Sequence, residues 1–69
     1  MADGRVARVT EVIAGSPNNF EEAVNLAFER ANKTLRNITG MRITDFSIMA
    51  ESGNIQEYRV RAEVIFVLE

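Results

Sequence analysis

The sequence predicts an α+β fold in which a β-α-β-β chain forms a three-stranded antiparallel sheet wrapped around one amphipathic helix. Three observations predict it: β-branched runs with two-residue alternation near both ends of the chain, one stretch of 3.6-residue periodicity between them, and turn signals around Gly15, Gly40 and Gly53 that separate the pieces.

The first strand is expected from Arg5 to Ala14, which is rich in Val6, Val9, Thr10, Val12 and Ile13 and closed by Gly15-Ser16-Pro17. Its apolar residues fall on both faces, Val9 and Ile13 on one and Val6 and Val12 on the other, as suits a strand covered on both sides. Asn19 followed by Glu22 has the spacing of a capping box, and Glu21 and Glu22 suit the positive end of a helix dipole. From there Phe20, Val24, Ala27, Phe28, Ala31, Leu35 and Ile38 share one helical face, and the helix is expected to end near Asn37. Gly40 releases the chain into a second strand, Met41 to Ala50, either through a positive φ or by removing a side chain near a neighbour. Glu51-Ser52-Gly53-Asn54 then connects a hairpin. In the last strand Tyr58, Val60, Ala62, Val64, Phe66 and Leu68 form one face, against Arg59, Arg61, Glu63, Ile65 and Val67.

A β-α-β crossover followed by a hairpin places the third strand between the first two, so that all sheet neighbours are antiparallel. The helix covers one face. Val6, Val12, Ile65 and Val67, or their counterparts in another register, are expected on the other. At 69 residues the chain is read as one domain, 1–69, with fraying over the first three residues. A core of this size supplies ~3–5 kcal/mol without a staple. With no Cys and no His, disulfides and a zinc site of ordinary ligands are excluded, which leaves oligomerisation as the staple, with a well-packed monomer as the alternative. Open edges and apolar sheet surface point the same way, because identical subunits would cover them.

Eight Lys plus Arg are interleaved with ten Asp plus Glu for a net charge of −2, so no basic stripe exists to meet nucleic acid. No apolar run approaches the ~20 residues of a membrane span, and the short polar start, Met1 to Val6, lacks the apolar region of a secretory signal, so a cytoplasmic address is expected.

Without His or Cys the commonest general base and the best nucleophile are missing, and no enzymatic activity is expected. The candidate carboxylates are Asp45, Glu57 and Glu63. Gly15 and Gly40 stand alone, unlike the clustered glycines of a phosphate-cradling loop, and punctuate elements instead. Asp45, Glu51 and Asn54 lack the spacing of an EF-hand, although carboxylates from several subunits around an axis would suit Ca²⁺ or Mg²⁺. Arg59 and Arg61 share a strand face and suit either a carboxylate or phosphate on a ligand or a cross-strand pairing with Asp45 or Glu63.

Several strings, taken in order, resemble the dodecins, small flavin-binding proteins of bacteria and archaea. They are Val12-Ile13-Ala14-Gly15-Ser16-Pro17 at the strand-to-helix turn, Phe20-Glu21-Glu22-Ala23 at the helix start, Glu29-Arg30-Ala31, Lys33-Thr34-Leu35-Arg36-Asn37, and Glu57-Tyr58 through Phe66-Val67-Leu68. The resemblance implies a hollow homododecamer with flavins (riboflavin, FMN or FAD) held in pairs between subunits. It implies an aromatic residue, usually Trp, stacking on the ring just after the helix, where this chain has Gly40. It also implies a Gln on the ring's polar edge, where this chain has Arg59. The cofactor-binding residues expected on this basis are Gly40, Met41, Asp45, Arg59 and Arg61, with Met41 offering a thioether contact in place of the aromatic. The expected function is a non-enzymatic oligomer that stores or buffers a flavin with weakened affinity, or another planar or anionic ligand. The alternative is a structural shell stabilised by Ca²⁺ or Mg²⁺ at its symmetry axes. A protein partner or coenzyme A has no signature in the sequence.

Overall fold

A computed structural model describes residues 4–68; the expected fraying of the first three falls outside them. The elements are β1 (Ala7–Ser16), α1 (Phe20–Thr34), β2 (Ile38–Glu51) and β3 (Asn54–Val67). The sheet order is β1-β3-β2 with both pairings antiparallel, as the crossover rule requires.

Asn19 caps the helix from an extended backbone conformation, its Oδ1 accepting from the Glu22 N–H at 2.7 Å. The return half of the expected capping box is redirected. The Glu22 carboxylate accepts from the buried Ser16 hydroxyl and from Asn18 Nδ2, while the Asn19 N–H donates to Ser16 Oγ at 3.4 Å.

The helix stops at Thr34, before the expected Asn37, because Leu35 turns extended while its N–H still donates to Ala31 O. Asn37 then takes a φ of 60°, a left-handed conformation that asparagine tolerates, and β2 starts at once. The chain reversal therefore belongs to Asn37. Gly40 lies inside β2 beside a register shift, without positive φ, so the expectation that it opens the strand is corrected. At the other end Ser52 (φ 53°) and Gly53 (φ 81°) make the two-residue turn that the hairpin's twist favours, closing on the Glu51–Asn54 pair.

The helix buries Ala23, Ala27 and Ala31 against the sheet, where Val60, Ala62 and Val64 of β3 are fully buried. Small residues on the helix let it approach a flat strand closely. Phe28, expected on the buried face, is exposed. Across the antiparallel ladders Val12 pairs with Ala62 and Val9 with Ile65. Val12 thus belongs to the helix side, and Val9 and Ile13, 53% and 54% exposed, belong to the outer face. This corrects the expected placement of Val12. Directly opposed residues of an antiparallel pair share a face, so register alone decides the matter.

The subunit measures 57 × 20 × 14 Å, whereas a 15-residue helix is only about 22 Å long. Phe46, Ile48, Met49 and Ile55 of the hairpin are correspondingly exposed. Phe20, at the helix start, meets the rings of Phe46 and Tyr58 edge to face at 5.3 and 5.2 Å. Among the described residues, the largest fully buried side chains are Val60 and Val64, with Ser16. So little buried volume, beside so much exposed apolar surface, is what a subunit of a larger assembly presents.

Candidate functional site on the outer sheet face

The face turned away from the helix is built of rungs, each taking one residue from β1, β3 and β2. From one end they run Val9–Ile65–Gly40, Glu11–Glu63–Arg42, Ile13–Arg61–Asp45 and Gly15–Arg59–Ser47, with Glu57–Met49 beyond. A concavity of about 120 Å³ lies over the third and fourth rungs, lined by Ile13, Asp45, Ser47, Arg59 and Arg61.

Three of the five expected site residues, Asp45, Arg59 and Arg61, therefore meet. Gly40 shares their face but sits opposite Ile65, six residues along β3 from Arg59, or about 20 Å at strand spacing. Met41 pairs with Val64 and lies on the helix side, away from the others. Within one subunit neither joins the concavity.

Ile13 and Ser47 line it without having been expected there. For Ser47 the signal was available, since it stands two residues from Asp45 and so on the same face. Ile13 required the β1 register, which local pattern does not reveal.

Neither Arg59 nor Arg61 pairs with Asp45 or Glu63, the partners expected for them. Arg59 donates to Glu57 Oε1 from Nε (3.0 Å) and Nη2 (2.7 Å), two residues back on its own strand. Arg61 reaches Glu11 at 3.2 Å, and Glu63 is taken by Arg42 at 2.7 Å. Asp45 makes no ion pair among the described residues. The concavity therefore offers guanidinium donors, the Ser47 hydroxyl and one uncommitted carboxylate, bordered by an exposed isoleucine. That combination suits a small polar or planar ligand, which apolar contact would hold and hydrogen bonds would orient.

A three-stranded antiparallel sheet covered by one helix on one face and carrying a polar concavity on the other is the architecture of this α+β subunit. The family model described as Dodecin matches residues 6–69, and the chain belongs to that family of small-molecule-binding homo-oligomers. It is 32% identical over 66 residues to a dodecin of Thermus thermophilus, covering 96% of each chain. Its fold matches the solved dodecin of Streptomyces coelicolor with a TM-score of 0.90 and 33% identity, over 100% of this chain and 97% of that one. It also matches a calcium-chelating antigen of Mycobacterium tuberculosis, described as a calcium dodecin with a novel calcium-binding site, with a TM-score of 0.81 and 31% identity over 93% and 91% of the two chains. Among the described residues, no helix is long and apolar enough to cross a membrane.

Proposed function

We propose that the chain is a non-enzymatic subunit of a dodecamer that binds and buffers a flavin, riboflavin or its nucleotides FMN and FAD, between copies of itself. The observation that carries this is the outer sheet face, where hydrogen-bonding groups at Asp45, Ser47, Arg59 and Arg61 adjoin the exposed Ile13. Gly40 and Arg59 are too far apart to share one isoalloxazine ring within one subunit, so a ring pocket using both draws them from different copies. An isoalloxazine over Gly40 would meet the sheet backbone and Ile65 instead of an aromatic ring, which predicts weak binding.

The test is a riboflavin and FMN fluorescence titration of the native protein and of Gly40→Trp. A Cβ at Gly40 would meet only Ile65 Cδ1 at 3.8 Å, an ordinary contact, so the subunit has room to begin a larger side chain there. The expected result is weak quenching by the native protein and binding at least about tenfold tighter in Gly40→Trp, a gain on the order of 1.4 kcal/mol. Flavins that stay fully fluorescent with both proteins at about 50 µM would remove flavin from the account.

The likeness to a calcium-chelating relative supports a second proposal, a shell stabilised by Ca²⁺ or Mg²⁺. Among the described residues no group of three acidic side chains gathers within one subunit. The ligands would have to come from several copies, with Asp45, which makes no ion pair among the described residues, as one of them. Added Ca²⁺ should then raise the melting temperature; an assembly whose mass and melting ignore both Ca²⁺ and a chelator would rule this out.

A further inference from the structure

Arg59 lines the concavity, and its neighbours constrain it. It stands on the middle strand between Gly15 and Ser47, and both of its hydrogen bonds to Glu57 fall on the Nε/Nη2 edge of the guanidinium. The Nη1 side is thereby left for an acceptor arriving from outside.

Glu57 can take this position only because residue 15 is glycine. A Cβ built at Gly15 would lie 2.3 Å from both Cδ and Oε2 of Glu57 and 2.8 Å from its Cγ. Gly15 has no positive φ, so its backbone does not demand glycine. What it provides is the space over β1 that the Glu57 carboxylate occupies.

We infer that Gly15 and Glu57 are positioning residues that fix the Arg59 guanidinium over the concavity for recognition of an acceptor oxygen on the ligand. This rests on the small-molecule function proposed above. A long, flexible arginine left to itself samples many rotamers, and a ligand would have to order it on binding. Held by Glu57, the fork is set before the ligand arrives.

The experiment combines arginine Nε–H NMR with riboflavin titration on the assembled protein, using Gly15→Ala, Glu57→Gln, Arg59→Gln and the Gly15→Ala/Arg59→Gln pair. The atoms displaced by alanine at position 15 are the far end of a flexible side chain, so Gly15→Ala should fold and keep its oligomer mass. The Arg59 Nε–H signal, identified by its loss in Arg59→Gln, should shift and exchange faster with solvent in Gly15→Ala and Glu57→Gln. Riboflavin affinity should fall about fivefold in each, and Gly15→Ala should cost less than about twofold once Arg59 is already Gln.

An Arg59 signal unmoved by Gly15→Ala would overturn the inference, as would an equal affinity loss with or without Arg59. If the native protein binds no riboflavin, the flavin assignment fails on its own, and the NMR comparison still decides whether Gly15 and Glu57 hold the guanidinium.

Discussion

Glu11 and Glu63 stand directly opposite each other across the β1–β3 ladder, and each is met by an arginine from a neighbouring position on the same face, Arg61 for Glu11 and Arg42 for Glu63. Two like charges at this separation repel, so the arginines offset a local cost as well as forming pairs.

Arg42→Gln should therefore destabilise the protein. The Arg42 side chain is 69% exposed, which keeps the loss below about 1 kcal/mol at low salt. In 1 M NaCl, where screening acts within about 3 Å, the difference should shrink. Urea unfolding at fixed protein concentration measures both; a loss independent of salt would point to packing instead.

Glu22 is held below the usual glutamate range, first by the hydrogen bond from Ser16 and next by that from Asn18, with desolvation opposing them weakly. Because the folded-state value is depressed, this contribution is fully present above the unfolded-state value near 4.3 and is lost as pH falls through the folded one. Thermal melts from neutral pH into acid should thus show a shallower decline for Glu22→Gln and for Ser16→Ala than for the native protein. Parallel curves would show that Glu22 carries none of the acid sensitivity.

Ala27, 4% exposed at the centre of the helix's alanine stripe, faces a strand whose Val60, Ala62 and Val64 are already closed off from solvent. Ala27→Leu should overpack this contact and cost about 1–3 kcal/mol, even though leucine is a good helix former. Chemical denaturation would report the loss. A neutral result would mean the helix can lift from the sheet without penalty.

Ser52 and Gly53 both carry positive φ in the hairpin turn. Ser52→Asn matches the residue preference of such turns and should stabilise by about 0.5 kcal/mol, whereas Gly53→Ala at φ 81° should destabilise by about 1 kcal/mol or more. Opposite shifts in the denaturation midpoint check the pair; the same sign for both would contradict the turn assignment.

The three strands and the helix were legible from the chain because alternation, 3.6-residue periodicity and capping chemistry act over a few residues. Asn19, Ser52-Gly53 and the alternating face from Tyr58 to Phe66 all behave as their local sequence implies. The helix end was less legible. Lys33 to Asn37 is compatible with another helical turn, and the left-handed Asn37 shows only once its carbonyl is seen to accept from Val67 N–H on β3.

By itself, then, the sequence determined the β-α-β-β order, the antiparallel topology, the absence of disulfide and ordinary zinc chemistry, and the small size of the core. Tertiary structure alone decided which residues share the outer face. It put Ile13 and the Asp45–Ser47 stretch beside Arg59 and Arg61, left Gly40 and Met41 elsewhere, and set the Glu57 partner of Arg59 in the space over Gly15. The physical reason is that strand register and bulges are set by long-range pairing. A slip of one residue would exchange the two faces while leaving every local pattern unchanged.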